Sequence, residues 1–447
     1  CGGVSGPVVF NVLAGTYSGF ISLSSVPGIS RTNNIKFIGA GANSTTIDYN
    51  NLNPQSNAVV YLNKTPHVSF ENIRFRRPTT SSSSIIHLTN SSDSILVRNC
   101  ILEYISPTTS FSAVGILAGT APNSQNGAKE TEGSLFENNT IINAGTGVGL
   151  YSNNTFFIRN NTIRNNTFQN IGNYGIYVYY GYNTTITNNT LFGGGMSYGI
   201  YSFFSNSNKI NQNTIRNCSI SGMYVYFENY TGFGVGTSEI YNNMVSISSG
   251  NSTTYGIYAY YAYNSKFYHN SVINNSIYNG TAGVRASLYM QYGNNNDIKN
   301  NIFDIRTNSG VEGYSVWRNN INNANFNHNT YFANTNNHFN INGTNRPRLS
   351  DWQSFENFYN QNSRFEQVPF ISFTDLHIPN TFDAPSGDNS LNVLIDRDGD
   401  ARCVQAPTIG ADENKFPNPP PFASFAAPDT VYENSPAKFI QTTNGDP

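Results

Sequence analysis

The stretch GIYVYYGYNTTITNNTL, residues 175–191, decides the fold of this chain because both of its halves recur. The second half, Ile186-Thr187-Asn188-Asn189-Thr190-Leu191, places Asn189 three residues after one apolar residue and two before another. The first half, Gly175-Ile176-Tyr177, recurs in nearly the same form from Gly199, Gly222 and Gly256. Short β-rich units that repeat in this way cannot bury a face alone, so the pattern predicts stacked coils.

The Asn-anchored unit recurs along the chain after a first, imperfect copy at Asn72. We expect each anchoring Asn to take the left-handed bend between two strands and to bond the equivalent Asn one coil away. The flanking apolar residues are expected to point inward, and the Thr that follows most anchors to point outward. The residues predicted to form this ladder are Asn99, Asn139, Asn161, Asn189, Asn213, Asn243, Asn270, Asn301 and Asn329.

The repeat resembles the right-handed parallel β-helix repeat family, the fold of pectate-lyase-like enzymes, periplasmic copper-site maturation proteins and many adhesins. The resemblance covers roughly residues 30–345. It implies an all-β solenoid of about 10–12 coils, whose parallel strands lie about 4.8 Å apart. Because this fold hosts enzymes and passive rods alike, the resemblance implies no particular activity.

The segments outside the coils divide the chain further. Residues 1–33 are predicted as an N-terminal strand and cap, 34–345 as the β-helix and 346–414 as its closing segment. Residues 415–421 are Pro-rich and typical of a stiff linker. Residues 422–447 resemble the first strands of an immunoglobulin-like β-sandwich of the polycystic-kidney-disease type, but they are too few to complete such a domain.

Composition and charge exclude several classes of function. Lys and Arg total 24 and Asp and Glu total 26, so the net charge of −2 gives no electrostatic reason to expect nucleic acid as a partner. No apolar stretch reaches about 18 residues, so no transmembrane helix is predicted. The four cysteines are too far apart in sequence for a metal cluster. Because the chain starts at Cys1 without Met and stops within its last segment, we expect a piece of a longer protein.

Candidate catalytic groups are sparse. An enzyme that acts on acidic polysaccharide needs carboxylates and a base on one face of adjacent coils. Between Asn139 and Asn301 the only carboxylates are Glu228, Glu239 and Asp297, and they fall in different strand contexts. We therefore predict no catalytic residue and no required cofactor.

One acidic run near the C-terminus is a candidate metal site. The run Asp396–Arg402, followed by Ile409–Glu413, resembles the closing segment of surface β-helix proteins from the Bacteroidota, which implies secretion to the cell surface. Clustered carboxylate oxygens suit Ca²⁺, so Asp396, Asp398 and Asp400 are its candidate ligands. The alternative is a surface turn in which the two arginines of the run are the partners.

The sharpest surface feature is aromatic. Ile176 and Val178 alternate with rings, so if they face the core, two columns of rings face outward. The predicted columns are Tyr177, Tyr201, Tyr224 and Tyr258, with Tyr151 just before them, and Tyr179, Phe203, Tyr226 and Tyr260. Such a stripe is either a partner surface, for sugar rings or another protein, or a set of cross-strand ladders that stabilise each other.

Three classes of function compete. Neutral, polar ladders and the appended sandwich segment favour a non-enzymatic structural or adhesive module of a secreted cell-surface protein. In this interpretation the chain self-associates as a filament subunit through coil ends, through the Tyr stripe, or by strand addition of residues 416–447. The alternatives are a glycan-binding module that uses the same stripe, and a polysaccharide lyase, hydrolase or epimerase.

Overall fold

A computed structural model describes residues 2–49, 57–79, 82–122, 124, 127, 129–229, 236–308 and 310–414, and the backbone of the strands Ser424–Ala426 and Ile440–Thr442. Within these residues the chain is a parallel β-helix built from three long sheets, A, B and C, of 12, 13 and 13 strands. Each regular coil contributes one strand to each sheet. The prediction of an all-β parallel solenoid is therefore confirmed.

Sheet A consists of short strands, and in the three-residue strands the central residue faces the core. Its strands are Val8–Val12, Ile35–Gly39, Val68–Glu71, Leu96–Arg98, Leu135–Glu137, Thr162–Arg164, Thr185–Thr187, Lys209–Asn211, Ser238–Tyr241, Ser265–Tyr268, Asp297–Lys299 and Asn325–Asn327. Identical or similar apolar residues stack from coil to coil, as Ile163, Ile186, Ile210 and Ile240 do.

Sheet B follows sheet A around each corner. Its strands are Gly15–Ser18, Thr45–Asp48, Arg74–Arg77, Ile101–Tyr104, Thr140–Ile142, Thr167–Ile171, Thr190–Gly193, Thr214–Cys218, Met244–Ser249, Ser271–Ser276, Ile302–Thr307, Thr330–Ala333 and Arg364–Phe365. All neighbouring strands in this sheet pair in parallel, which is the arrangement that stacked coils require.

Sheet C contains the longest strands. They are Ile21–Ser24, Ala58–Asn63, Ser83–Thr89, Ala113–Ala118, Thr146–Tyr151, Tyr174–Tyr179, Tyr198–Phe203, Ser221–Tyr226, Thr254–Tyr263, Arg285–Asn294, Tyr314–Asn322, Phe339–Ile341 and Thr344–Arg346. The last two pair antiparallel and end the sheet. A small parallel pair, Ile158–Arg159 with Gly181–Tyr182, lies at the corner between sheets C and A.

An asparagine ladder fills the corner between sheets A and B. In each step the backbone N–H and the side-chain Nδ2 of one Asn donate to the Oδ1 of the next, as Asn189 does to Asn213 at 3.0 Å. The Nδ2 of Asn189 also donates to the Ile163 carbonyl at 2.9 Å. Asn188, directly before it, has the left-handed backbone (φ 53°), so the bend and the bonding use two different residues. The members are Asn139, Asn166, Asn189, Asn213, Asn243, Asn270, Asn301 and Asn329.

Two residues predicted for this ladder lie elsewhere. Cys100 holds the ladder position, where its N–H donates to Asn139 Oδ1 at 3.0 Å, and Asn99 takes the left-handed bend before it. Asn161 lies at the corner between sheets C and A, where its Oδ1 accepts from the Ser134 N–H at 2.9 Å. Asn166 takes its place in the ladder.

The closing segment first caps the solenoid and then runs back along it. Helix α1 (Leu349–Phe355) covers the last coil with Trp352, which is fully buried and whose ring centroid lies 5.2 Å from that of Phe326. The chain then crosses the outer face of sheet B, where Val368, Ile378 and other apolar side chains pack on Ile302. A 3₁₀ turn, Asn389–Leu391, lies in this part.

The C-terminal predictions reach beyond the described residues. The expected linker, 415–421, lies outside them. Of the expected sandwich segment, 422–447, only the two strands Ser424–Ala426 and Ile440–Thr442 are described, and they pair antiparallel. None of the helices in the described part of the chain has the length and hydrophobicity that a membrane-spanning helix needs.

Candidate functional site

The outer face of sheet A carries a ladder of alternating charges. Arg98 lies 4.0 Å from Glu71 and 3.2 Å from Glu137 in the neighbouring coils, and Arg164 follows at 2.6 Å from Glu137. Further along, Glu239 lies between two lysines at 3.6 and 3.5 Å. Such solvent-accessible pairs neutralise each other and contribute about 0–1 kcal/mol each.

The outer face of sheet B is covered by the closing segment. Met244 and Ile273 pack against Leu376 and Ala411. Along the edge next to the ladder, the Arg397 guanidinium donates to the side chain of Asn188 at 2.9 Å. These contacts remove the outer face of the later coils of sheet B from solvent, so it offers no open surface there.

The outer face of sheet C is aromatic. Ile176 and Val178 are fully buried, so the rings that alternate with them point away from the core, as the sequence predicts. Tyr177, Tyr201 and Tyr224 align in register, and the column continues to Tyr258, Tyr289 and Trp317.

Tyr151 does not belong to the column beside which the sequence placed it. It pairs in register with Tyr179, and Gly149 is the residue that aligns with Tyr177. The ring of Tyr151 leans over Gly149, where a Cβ would come within 2.7 Å of the Tyr151 hydroxyl. The missing side chain at Gly149 therefore leaves the space in which the Tyr151 ring lies.

Two further columns flank the predicted pair. Gly175 and Ile176 both point inward, since a Cβ on Gly175 would meet Leu191, and Tyr174 is therefore placed outside. Tyr180 has a left-handed backbone (φ 56°), which turns its ring outward directly after Tyr179. A strict in-and-out alternation along the strand does not predict these two columns. The sequence nevertheless carries a signal for each, a Tyr just before the repeated Gly and a pair of aromatic residues at the end of the strand.

We call the resulting surface the aromatic face. Its four columns are Tyr177, Tyr201, Tyr224, Tyr258, Tyr289 and Trp317; Tyr151, Tyr179, Phe203, Tyr226 and Tyr260; Tyr174, Tyr198, Tyr255 and Tyr314; and Tyr180, Phe204, Phe227, Tyr261 and Tyr292.

The rings of the aromatic face stack on each other from coil to coil. The centroids of Tyr224 and Tyr258 lie 4.4 Å apart with an angle of 6° between the rings, and Phe227 and Tyr261 lie 4.6 Å apart at 2°. Tyr177 is buried by its neighbours, whereas Tyr224 and most other rings keep part of one edge or face in solvent. The ladders therefore stabilise themselves and still present a continuous aromatic surface.

The polar groups of this surface are uncharged. Burial raises the pKa of Tyr174 and of Tyr180 to about 12, so both hydroxyls stay protonated and can donate hydrogen bonds at neutral pH. Between Tyr174 and Tyr292, the positions of the four columns that are not aromatic are Ser221, Ala286 and Gln291. No member of these columns carries a charge over that range.

Glu228 lies close to these coils but is enclosed. Its carboxylate accepts from the Ser202 and Ser238 hydroxyls, both at 2.6 Å, and it is fully buried. Burial raises the pKa of this carboxyl above its ordinary value, in spite of the two hydroxyl donors. The group supports the corner between sheets C and A and is not exposed to a ligand on the aromatic face.

The predicted Ca²⁺ ligands do not converge on one point. Asp396 is fully buried, and its Oδ1 accepts the backbone N–H groups of Asp398, Gly399 and Asp400 at 2.8–3.0 Å. Its Oδ2 accepts from the Glu413 N–H at 2.9 Å. Asp396 is thus fully used in holding the turn, and among the described residues the three carboxylates do not form a group of converging ligand atoms.

Asp398 instead joins a cluster that the sequence analysis did not find. One ligand atom each from His377, Asp398 and Asp412 lies within 4.8 Å of the other two. The Asp398 hydrogen bond at 2.8 Å raises the pKa of His377 to about 9, and Asp375 acts in the same direction on the other ring nitrogen. The three residues are far apart in sequence, so spacing gave no signal.

Comparisons with known proteins define the class of fold. Residues 84–255 match the family model described as a right-handed β-helix region. Together with the three parallel sheets, this match identifies a right-handed parallel β-helix. A search of the curated proteins returned no match.

Solved structures with a similar fold include two epimerases and a glucanase. The periplasmic alginate epimerase AlgG is 12% identical, with 79% of this chain and 78% of that chain covered and a TM-score of 0.48. The A-module of the mannuronan C-5 epimerase AlgE6 from Azotobacter vinelandii is 12% identical, with 81% and 90% covered and a TM-score of 0.42. The catalytic unit of a thermostable α-1,3-glucanase from Streptomyces thermodiastaticus is 13% identical, with 74% and 61% covered and a TM-score of 0.36. These likenesses concern the fold alone.

Proposed function

We propose that this protein binds a neutral, extended polysaccharide along the aromatic face, without chemistry of its own. The observation that carries the proposal is the contrast between the three outer faces of the solenoid. Among the described residues, sheet A presents paired charges and the later coils of sheet B are covered, whereas sheet C presents stacked rings that keep edges in solvent. An extracellular location, expected from the sequence resemblance, is part of the proposal.

The chemistry of the aromatic face suits sugar rings. The apolar C–H faces of pyranose rings stack on aromatic rings, and the Tyr hydroxyls add hydrogen-bond donors around them. Adjacent coils repeat about every 4.8 Å, so the six rings from Tyr177 to Trp317 extend over about 24 Å. A repeating ligand that lies along the solenoid axis can therefore meet a ring in each coil.

The absence of charge selects among glycans. Desolvating a sugar carboxylate against uncharged rings costs free energy that no arginine or lysine of these columns would recover. A neutral glycan loses only hydroxyl hydration, which Tyr hydroxyls and water can replace. We therefore expect binding to neutral polysaccharide that persists at high salt, because no ion pair is involved.

Affinity electrophoresis in gels containing one polysaccharide each tests this proposal. We expect at least one neutral polymer, such as a β-glucan, xylan or mannan, to retard the wild-type chain, and alginate and polygalacturonate to leave it unretarded. The double variant Phe203→Ala, Tyr226→Ala should lose the retardation. Tyr241→Ala, which removes a ring from the outer face of sheet A, is the matched control and should keep it.

Circular dichroism of each variant separates lost binding from lost folding. Retardation by acidic polymers alone, or equal retardation of the double variant and the wild type, would overturn the proposal. If the protein is instead a self-associating structural module, no polymer should retard the chain, and the mass of the protein in solution should rise with protein concentration. Helix α1 already covers the C-terminal end of the solenoid, so in that case the aromatic face is the surface to test.

A further inference from the structure

We propose that His377, Asp398 and Asp412 bind one divalent transition-metal ion of the zinc type. One ligand atom from each residue lies within 4.8 Å of the other two, a spacing that a single ion can bridge. The three residues come from three separate pieces of the closing segment. A bound ion would therefore add a further link between pieces of chain that already meet through hydrogen bonds and apolar packing.

The orientation of His377 supports this assignment. Asp375 accepts a hydrogen bond from Nδ1 of the ring, and Nε2 then faces Asp398 Oδ2 at 2.8 Å. A histidine that binds a metal through one nitrogen usually donates its other N–H to a carboxylate, which fixes the ring and its tautomer. In the metal-bound form, the ion takes the place of the proton that Nε2 shares with Asp398.

Asp412 brings a second carboxylate to the group. The residue is largely buried, and its side chain accepts one hydrogen bond, from the Ile378 N–H to Oδ2 at 2.7 Å. No Lys, Arg or His of the described residues forms an ion pair with it within 4.0 Å. The nearby cation is the protonated His377 ring, and a divalent ion in place of its Nε2 proton would supply the positive charge to Asp398 and Asp412 together.

The ligand set favours zinc over calcium. One imidazole nitrogen and two carboxylate oxygens are ligands that Zn²⁺ accepts, with a fourth position left for water. Ca²⁺ takes about 6–8 oxygen ligands and does not favour imidazole. The proposed site thus differs in both its residues and its metal from the one that the Asp396, Asp398, Asp400 run suggested.

Isothermal titration of tag-free, chelator-treated full chain with Zn²⁺ and with Ca²⁺ tests the site. We expect one Zn²⁺ per chain, a higher melting temperature in its presence, and no comparable binding of Ca²⁺. Asp412→Asn keeps an acceptor for the Ile378 N–H but loses the charge, so we expect Zn²⁺ binding at least about tenfold weaker. Asp375→Asn should weaken binding by about 10–100-fold, because it acts only through the orientation of His377.

Asp400→Asn is the matched control, because this exposed carboxylate lies in the same turn but outside the cluster. It should bind Zn²⁺ like the wild type and show the same rise in melting temperature. Substoichiometric binding by the wild type, or an unchanged affinity in Asp412→Asn, would overturn the proposal. Circular dichroism of the metal-free variants confirms that a loss of binding is not a loss of fold.

Discussion

The coils and the closing segment are held together in opposite ways. In the coils the same contact recurs many times, as in the ladder from Asn139 to Asn329, where each step repeats the hydrogen bonds of the one before. In the closing segment each contact occurs once. Arg402, for example, is buried and donates to Asn242, Thr408 and Gly410 while it pairs with Glu413 at 3.3 Å.

The difference has consequences for stability. A ladder that loses one member keeps its other members, because each coil contacts only its neighbours. A segment that depends on a few buried charges has no such reserve, since removing one partner leaves the other charge unpaired in the interior. We therefore expect the closing segment to detach from the solenoid before the coils unfold.

Arg402→Met is expected to have the largest effect. The substitution leaves the Glu413 carboxylate buried without its cation, and such a loss costs about 3–5 kcal/mol. The measurement is hydrogen exchange at the Gly410 and Ala411 amides, which bond the solenoid through the Asn300 carbonyl and the Ser271 hydroxyl. Both amides should exchange faster, by the factor in the opening equilibrium that corresponds to a loss of about 3–5 kcal/mol.

The amide of Asn243 in the ladder is the internal reference for that experiment, since it donates to Asn270 at 3.1 Å. Its exchange should change little in Arg402→Met. Equal acceleration at Asn243 and Ala411 would mean that the coils and the closing segment unfold as one unit, and the comparison between them would fail.

Asn213→Ala should have a smaller effect, because the rest of the ladder remains. The variant removes the acceptor for the Asn189 N–H and Nδ2, both at 3.0 Å, and leaves the Ile186 carbonyl without its donor. Leaving buried polar groups unpaired costs about 1–3 kcal/mol, which should lower the midpoint of urea denaturation.

Thr187→Ala is the matched control for Asn213→Ala, because Thr187 lies on the outer face of sheet A in the same part of the solenoid. Its free energy of unfolding should stay within about 0.5 kcal/mol of the wild type. If the two variants denature at the same urea concentration, the side-chain ladder contributes nothing that the backbone pairing does not already supply.

The same contrast explains what the sequence could predict. A contact that recurs leaves a periodic trace, so the solenoid, its inward apolar rows and its outward ring columns could be read from spacing. Spacing did not identify the correct ladder residue where the pattern occurred twice in one coil, because Asn161 and Asn166 both lie between apolar residues at the same spacing. It also failed where Cys100 replaced the ladder residue and left Asn99 beside it.

The closing segment left no periodic trace. His377 and Asp412 meet Asp398 only because the chain runs back over sheet B, and no local pattern encodes that path. The residues that take the left-handed bend between sheets A and B bond this segment directly. Gln212 and His269 stand in place of the usual Asn at two of these positions, and they bond the segment as Asn188, Asn242 and Asn300 do.

His269 should make the docking sensitive to acid. The ring is buried and uncharged, accepts at Nε2 from the Asn300 amide (2.9 Å) and donates from Nδ1 to the Thr408 carbonyl (3.1 Å). Burial, with the nearby Arg402 charge, holds the pKa of His269 well below its ordinary value of 6.5. The unfolded form therefore binds the extra proton first, and stability falls as the pH drops below about 6.5, by at most about 1.4 kcal/mol per unit.

Thermal denaturation at about pH 7 and about pH 5.5 measures this effect. His269→Asn places the usual bend residue in the left-handed position (φ 50°) and should reduce the change between the two pH values. An identical pH dependence in wild type and variant would assign the effect to other groups, such as the buried carboxylates.

Arg98→Met is expected to have the smallest effect and gives the direct counterpart of Arg402→Met. Arg98 is more than one-third exposed on sheet A, and Glu137 keeps its other partner, Arg164, at 2.6 Å. The loss should be about 0–1 kcal/mol and should shrink further in about 1 M salt, because solvent and ions replace the missing charge. Urea denaturation at low and high salt measures it. A loss as large as that of Arg402→Met would show that repetition along a surface ladder strengthens ion pairs as much as burial does, and the two regions would then differ in pattern but not in energy.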